Sequence, residues 1–280
     1  MQRIEIISSA LSIIAETPVW IKSKNELWWI DINGKRIHGI SLLTKVEKCY
    51  ILPQRPGCLF LDEDDGLNVA CETGIYALTS TGTLLSRYPI KPQGERYNDG
   101  KVGPDGNLWV GTISPELKGV LYRIRPTGEH EVLLTNMGNS NGLDWNLAKK
   151  KFYLNDTYKH VTYVFDFDEK YQIYNQKVLR EWGKENPDGM AIDENGDLYV
   201  ALFGSGKIAK ISGETGKTIE DILLPVPNIT SVLFCGNDYK DLIVTTAAYK
   251  TDLREYPLAG SVLKIVRNEK GYPLNKIKNL

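Results

Sequence analysis

No stretch of this 280-residue chain approaches the roughly 20 consecutive apolar residues that span a bilayer. The apolar run nearest the start, residues 6–15, is broken by three serines and makes a poor secretory leader. Cysteine is scarce: Cys49, Cys58, Cys71 and Cys235 form no CxxC pair and no zinc spacing, and read as small core residues in a reducing compartment. The three histidines, His38, His130 and His160, show no HExxH pattern and read as surface or strand residues. Neither sign of charge dominates, with 34 Lys+Arg against 35 Asp+Glu, so there is no basic field to hold a phosphate backbone. Sustained helical periodicity is missing too, which counts against helical repeats and TIM barrels. The 42% hydrophobic content nevertheless suffices for a sizeable core and excludes disorder. A cytoplasmic protein follows, a monomer or weak dimer with small-molecule partners and no nucleic acid or membrane contact.

What is present is a repeat of about forty residues. Six short β-rich runs begin at Leu27 (LWWID), Leu67 (LNVAC), Leu108 (LWVGT), Phe152 (FYLND), Leu198 (LYVAL) and Leu242 (LIVTT). Each follows a run that ends in a turn, such as Asp65-Gly66, Asp105-Gly106 or Asn195-Gly196. A second alternating run comes after it, and in five units a trailing run, which makes four strands per unit. The sixth unit lacks its last strand, because residues 268–280 are polar and carry Gly271 and Pro273. Residues 3–8 are a spare run that can supply it. The chain is therefore expected to be all-β, a single six-bladed β-propeller over residues 1–280 with four-stranded antiparallel blades and the N-terminal strand closing the last one.

Phase then points to a site. Counting back ten or eleven residues from each anchor gives Glu16, Pro56, Asn98, Asn141, Asp188 and Ser231, near the starts of the innermost strands, which converge on the central channel. Glu16, Asn98, Asn141 and Asp188 together offer two carboxylates and two amide oxygens, an oxygen-only set suited to one divalent cation, whether calcium, zinc, manganese or magnesium. Asn-Gly and Asp-Gly pairs also mark turns. Here, however, Asn141-Gly142 and Asp188-Gly189 fall before the innermost strand, whereas the turn pairs named above fall after it.

The segments Glu16-Thr17-Pro18-Val19-Trp20, Arg96-Tyr97-Asn98-Asp99-Gly100-Lys101-Val102, Ser140-Asn141-Gly142-Leu143-Asp144-Trp145, Pro187-Asp188-Gly189-Met190 and Ala259-Gly260-Ser261-Val262 resemble, in order, those of the regucalcin (senescence marker protein)/gluconolactonase family, which includes luciferin-regenerating proteins. The resemblance implies a six-bladed propeller holding one divalent metal at the channel mouth and hydrolysing a sugar lactone. It implies Glu16, Asn141 and Asp188 as metal ligands, Asn98 beside metal and substrate, and Arg96 and Asp99 facing sugar hydroxyls. Glu116 falls where the family has a substrate-binding acid, although residues 114–119 form a shorter segment than in animal members.

Lactone hydrolysis needs an electrophile on the carbonyl oxygen, an activated water and compensation for the developing oxyanion. Asp188 is the candidate catalytic base, and water acidified by the cation itself is its competitor, because metal ligation lowers a carboxylate's basicity. Trp20, Trp145 and Tyr158 read as core aromatics. Gly138-Asn139-Ser140-Asn141-Gly142 matches GxSxG but leads into a strand instead of a helix, which argues against a serine hydrolase. The run from Gly213 to Thr218 has too short a glycine spacing for a phosphate loop and reads as a hairpin. Other readings are a non-catalytic calcium-binding regulator, a luciferin-regenerating or other ester hydrolase on the same site, or an interaction platform.

Overall fold

A computed structural model describes residues 3–278. The strands form six four-stranded antiparallel sheets, the blades of a propeller. Blade 1 contains β2 (Ala15–Ile21), β3 (Glu26–Asp31), β4 (Arg36–Ser41) and β5 (Glu47–Ile51), innermost strand first. Blade 2 contains β6 (Pro56–Leu61), β7 (Leu67–Cys71), β8 (Ile75–Leu78) and β9 (Leu84–Tyr88). Blade 3 follows with β10 (Arg96–Val102), β11 (Leu108–Ile113), β12 (Gly119–Ile124) and β13 (His130–Met137). Blade 4 has β14 (Ser140–Asn146), β15 (Lys151–Asp156), β16 (Val161–Phe167) and β17 (Ile173–Glu181). Blade 5 has β18 (Asn186–Ile192), β19 (Asp197–Phe203), β20 (Lys207–Ser212) and β21 (Thr218–Leu223). Blade 6 joins β22 (Ile229–Cys235), β23 (Asp241–Thr246) and β24 (Val262–Val266) to the N-terminal β1 (Ile4–Ser8), which pairs antiparallel with β24.

The six repeat runs are thus the second strands, β3, β7, β11, β15, β19 and β23. They are paired on both edges and read as near-continuous apolar segments because both faces pack against neighbouring blades. Trp109 of blade 3, for example, meets Trp145 of blade 4 edge-on at 5.4 Å and Phe152 at 5.0 Å. Cys58, Cys71 and Cys235 lie in this core as expected, whereas Cys49 is exposed, because β5 is the outermost strand of its blade. Trp20 and Trp145 are buried, but Tyr158, in the turn after β15, is 45% exposed. No described helix is long and apolar enough to cross a membrane.

Each innermost strand carries a bulge near its start. The register against the second strand shifts between Glu16 and Val19, Pro56 and Cys58, Tyr97 and Gly100, Ser140 and Leu143, Pro187 and Met190, and Ile229 and Ser231. A bulge bends the strand and re-aims side chains that strict alternation would send sideways. It also brings adjacent innermost strands into close approach. A Cβ on Gly142 would lie 2.4 Å from the Met190 nitrogen, and one on Gly189 would lie 2.1 Å from Ser231 Oγ. The Asn-Gly and Asp-Gly pairs at this mouth therefore reflect packing between strands and not turns.

The opposite mouth is crossed by the chain after β24, whose described residues form no strand, as its composition predicts. Gly271 N donates to Tyr239 O at 2.9 Å, Asn275 Nδ2 to Val102 O at 3.1 Å, and Ile277 N to Leu61 O at 3.0 Å, so the segment runs from blade 6 to blade 2 beneath the channel. Ile277 is fully buried in the core between blades 2 and 3.

Closure by β1 buries Ile7 and packs Ile4 against the blade 6 core, while Glu5 pairs with Lys264 at 2.9 Å. Removing residues 1–8 forfeits about 3 kcal/mol of apolar burial and exposes the β24 edge. The expected result is a thermal midpoint lowered by roughly 5–10 °C with increased light scattering on heating; an unchanged midpoint would show that β1 does not close the ring.

Candidate metal centre and active site

The bulges gather Glu16 of β2, Asn98 and Asp99 of β10, Asn141 of β14 and Asp188 of β18 at one mouth of the channel. All are buried, Asp188 being the most accessible of them at 8% exposure. Arg96, at the start of β10, is buried beside them. Thr17, next to Glu16, adopts φ +39°, a conformation costly for a β-branched residue, and its hydroxyl accepts the Leu59 N–H at 3.1 Å.

Burial raises the pKa of all three carboxyls in this space. Burial pushes Glu16 well above the usual carboxylate range, the charges of Asp188 and Asp99 add to this, and the Thr17 N–H at 2.6 Å opposes it. Asp188 is also pushed well up, first by burial and then by Asp99, against hydrogen bonds from Glu16 and Asn141 and the charge of Arg96. Asp99 is pushed up to about 6 by burial, against Lys101 and the Gly100 N–H. Asp99 lines a cavity of about 30 Å³ inside the channel together with Thr17, Lys101 and Ser231. Lys101 Nζ spans the channel below, 2.7 Å from Asp144 Oδ2 and 2.8 Å from Met190 O.

The amides are held differently. Asn98 Nδ2 donates to Asn139 Oδ1 at 2.8 Å and Ser140 O at 2.9 Å, and its Oδ1 accepts Arg96 at 2.7 Å, so all its polar atoms have protein partners. Asn141 Nδ2 donates to Thr157 Oγ1 at 2.9 Å, but its Oδ1 is buried with no partner. An orphan acceptor beside two buried carboxyls gathers oxygen donors of the kind that suit a hard cation. Glu16, Asn141 and Asp188 therefore fit a divalent ion as an oxygen donor set, and Asn98 does not offer a free atom to it. Among the described residues no three His, Cys, Asp or Glu side chains are grouped to hold a metal; this set reaches three donors only by counting the amide.

Arg96 lies at the edge of the cluster, where it donates to Tyr97 O at 2.8 Å, and burial together with nearby Arg55 pulls its pKa down to about 10. Tyr158 sits close enough for its titration to feel both Arg96 and Glu95. Glu116 stands apart. It is on the rim loop after β11, its side chain is 72% exposed, and it pairs with Lys118.

The profile of the SMP-30/gluconolactonase/LRE-like family matches residues 14–248. The chain belongs to this family. It is 32% identical to the regucalcin of Danio rerio over 94% of each chain, and 33% identical to a 6-deoxy-6-sulfogluconolactonase of Pseudomonas putida over 90% of each. A solved luciferin-regenerating enzyme superposes with a TM-score of 0.91 at 27% identity, covering 99% of this chain and 100% of the other. A calcium-binding regucalcin of Agrobacterium tumefaciens shares the fold with a TM-score of 0.90 at 22% identity, covering 99% of this chain and 98% of its own.

Repeat counting overlooks several residues that brace this family member's site. Asp31 and Asp156 close the first and fourth repeat runs, LWWID and FYLND, in the same phase. Asp31 accepts the N–H groups of Ile13 and Ile14 at 3.1 and 3.0 Å, and Asp156 those of Gly138 and Asn139 at 2.9 and 3.0 Å. Each thus clamps the loop leading to Glu16 or to Asn141. An aspartate recurring at the end of two of six apolar runs is the signal that could have revealed them.

The raised carboxyls give a sign for pH. Their folded pKa values exceed the unfolded ones, so their contribution to stability is present below about pH 4 and is lost as pH rises, through about 6 for Asp99 and through the raised values of Glu16 and Asp188. In chelator, Glu16→Gln should reduce the stability lost between pH 5 and 8 relative to the parent, measured by urea denaturation. Parallel curves for the two proteins would show that the Glu16 carboxyl is not raised in the folded protein.

Proposed function

We propose that this protein is a divalent-cation-dependent lactonase, opening a sugar lactone at the channel mouth where Glu16, Asn141 and Asp188 meet. The observation that carries the reading is the unpartnered Asn141 Oδ1 beside the buried, hydrogen-bonded carboxyls of Glu16 and Asp188. Family membership and the sulfogluconolactonase relative support the reaction class.

Glu16, Asn141 and Asp188 would hold the ion, which when bound supplies polarisation of the lactone carbonyl and compensation for the developing oxyanion. Calcium, zinc, manganese and magnesium all suit such donors. Asp188 is the candidate to take a proton from the attacking water as the water oxygen bonds to the carbonyl carbon. The ring C–O bond then breaks, and the proton passes to the departing alkoxide, which leaves an open hydroxy acid. Burial and Asp99 raise the pKa of Asp188 in the metal-free protein, which would offset part of the basicity that ligation removes. Arg96 is anchored by Tyr97 O and Asn98 Oδ1, and its remaining donors are available to orient substrate oxygens. Asn98 acts here by fixing Arg96. Asp99 contributes negative charge below the donor set, and Glu116 would reach substrate only if its loop folded inward from the rim.

A panel of aldonolactones followed by proton release, with metal-stripped protein reconstituted by each cation, tests the reading. Turnover should require a cation, fall at least a hundredfold in Glu16→Ala and Asp188→Ala, and be lost in Asp188→Asn even with metal retained. Activity of Asp188→Asn within a few-fold of the parent would remove Asp188 as the base. Cation binding without turnover on any lactone would replace the lactonase by a cation-binding protein.

A further inference from the structure

Asn155 and Asp156, which end β15, and Thr157, which follows them, each hold a different part of the site. Asn155 Nδ2 donates to Asp188 O at 2.7 Å, and its Oδ1 accepts Thr162 Oγ1 at 2.6 Å, which in turn accepts Trp182 Nε1 at 2.9 Å. Asp156 clamps the loop at Gly138 and Asn139, and Asn139 Oδ1 accepts Asn98. Thr157 Oγ1 lies 2.9 Å from Asn141 Nδ2 and 2.7 Å from Pro187 O, bridging blades 4 and 5 at the candidate ligands. All three residues are buried.

We infer that Thr157 is a positioning residue that decides which end of the Asn141 amide faces the cation, an inference that rests on the metal-centre reading above. A hydroxyl has one hydrogen, and a carbonyl can only accept. With its hydrogen donated to Pro187 O, Thr157 Oγ1 can only accept from Asn141, so the amide must turn its NH₂ end to Thr157. That leaves Oδ1, the only atom of the amide able to ligate a hard cation, free and unpartnered as observed. Without the hydroxyl the NH₂ end loses its acceptor in Thr157, and rotation of the amide by 180° would put a donor where a ligand is needed. Thr157 therefore holds the orientation that leaves Oδ1 facing the donor set.

The test is calorimetric titration of metal-stripped protein with Ca²⁺ and with Mn²⁺, with Thr157→Val and Thr157→Ser, alongside metal-free melting curves. Loss of a residue that orients a ligand weakens metal affinity by about 10- to 100-fold, and that loss is expected in Thr157→Val. Thr157→Ser keeps the hydroxyl and should bind within about threefold of the parent. Equal affinity in parent and Thr157→Val, or equal weakening in Ser and Val, overturns the inference. If Thr157→Val does not melt cooperatively, Thr157→Ala serves with the same thresholds. A second readout needs no cation: side-chain amide exchange of Asn141 by ¹⁵N NMR should quicken in Thr157→Val, and unchanged exchange overturns the inference independently. A parent that binds neither cation overturns the metal-centre reading, and this inference with it, whatever the exchange shows.

Discussion

Six innermost strands converge on one narrow channel, and the space available where they approach governs much of the rest of the structure. Close packing there requires glycine at Gly142 and Gly189, where any side chain would run into the next strand. It also requires the bulge that each strand carries near its start. A bulge leaves ladder groups unpaired and re-aims residues, and in this ring it does so six times around one axis. The polar side chains at the bulges are delivered to the same few ångströms from four different blades. Geometry of this kind needs no flexible loop, which is why these side chains sit on strands and are buried.

Gathering Glu16, Asp99 and Asp188 out of water has a cost that the rest of the site only partly offsets. Hydrogen bonds from Thr17, Gly100 and Asn141 and the charges of Lys101 and Arg96 lower the carboxyl pKa values, yet burial outweighs them. Buried like charges are unfavourable for folding and useful for holding a cation, and the φ of Thr17 adds backbone strain at the same place. Stability is supplied elsewhere, by apolar packing between blades, by closure through β1, and by the terminal segment anchored at Ile277 beneath the opposite mouth. The two mouths therefore differ in character. One is braced by backbone and apolar contacts, and the other is left with an unsatisfied oxygen.

The bracing of the site is itself polar and directional. Asp31 and Asp156 hold the loops before Glu16 and Asn141 through paired N–H bonds, while Asn155 holds the Asp188 carbonyl. These contacts connect the second strand of a blade to the innermost strands on either side of it. A cluster assembled from separate blades depends on such links, because each blade contributes only one or two of its side chains.

Much was legible in the linear order of residues. The repeat, the number of blades, the missing last strand of blade 6 and its replacement by residues 3–8 follow from spacing, because each blade repeats one pattern of apolar runs and turns. The phase of Glu16, Asn98, Asn141 and Asp188 was also readable, since equivalent positions in a closed ring must converge. Spacing could not distinguish Asn98, whose amide is fully bonded, from Asn141, whose oxygen is free, because that difference arises from Asn139, Ser140 and Thr157 folding against them. Nor could it show that Tyr158 faces solvent beside Arg96, that Cys49 lies on an outer strand, or that Glu116 stays on the rim. Sequence alone determined the ring and the positions that face its axis, through periodicity. Only the tertiary structure decided which polar atoms at those positions remain without partners, because hydrogen-bond partners come from neighbouring strands and blades that periodicity does not identify.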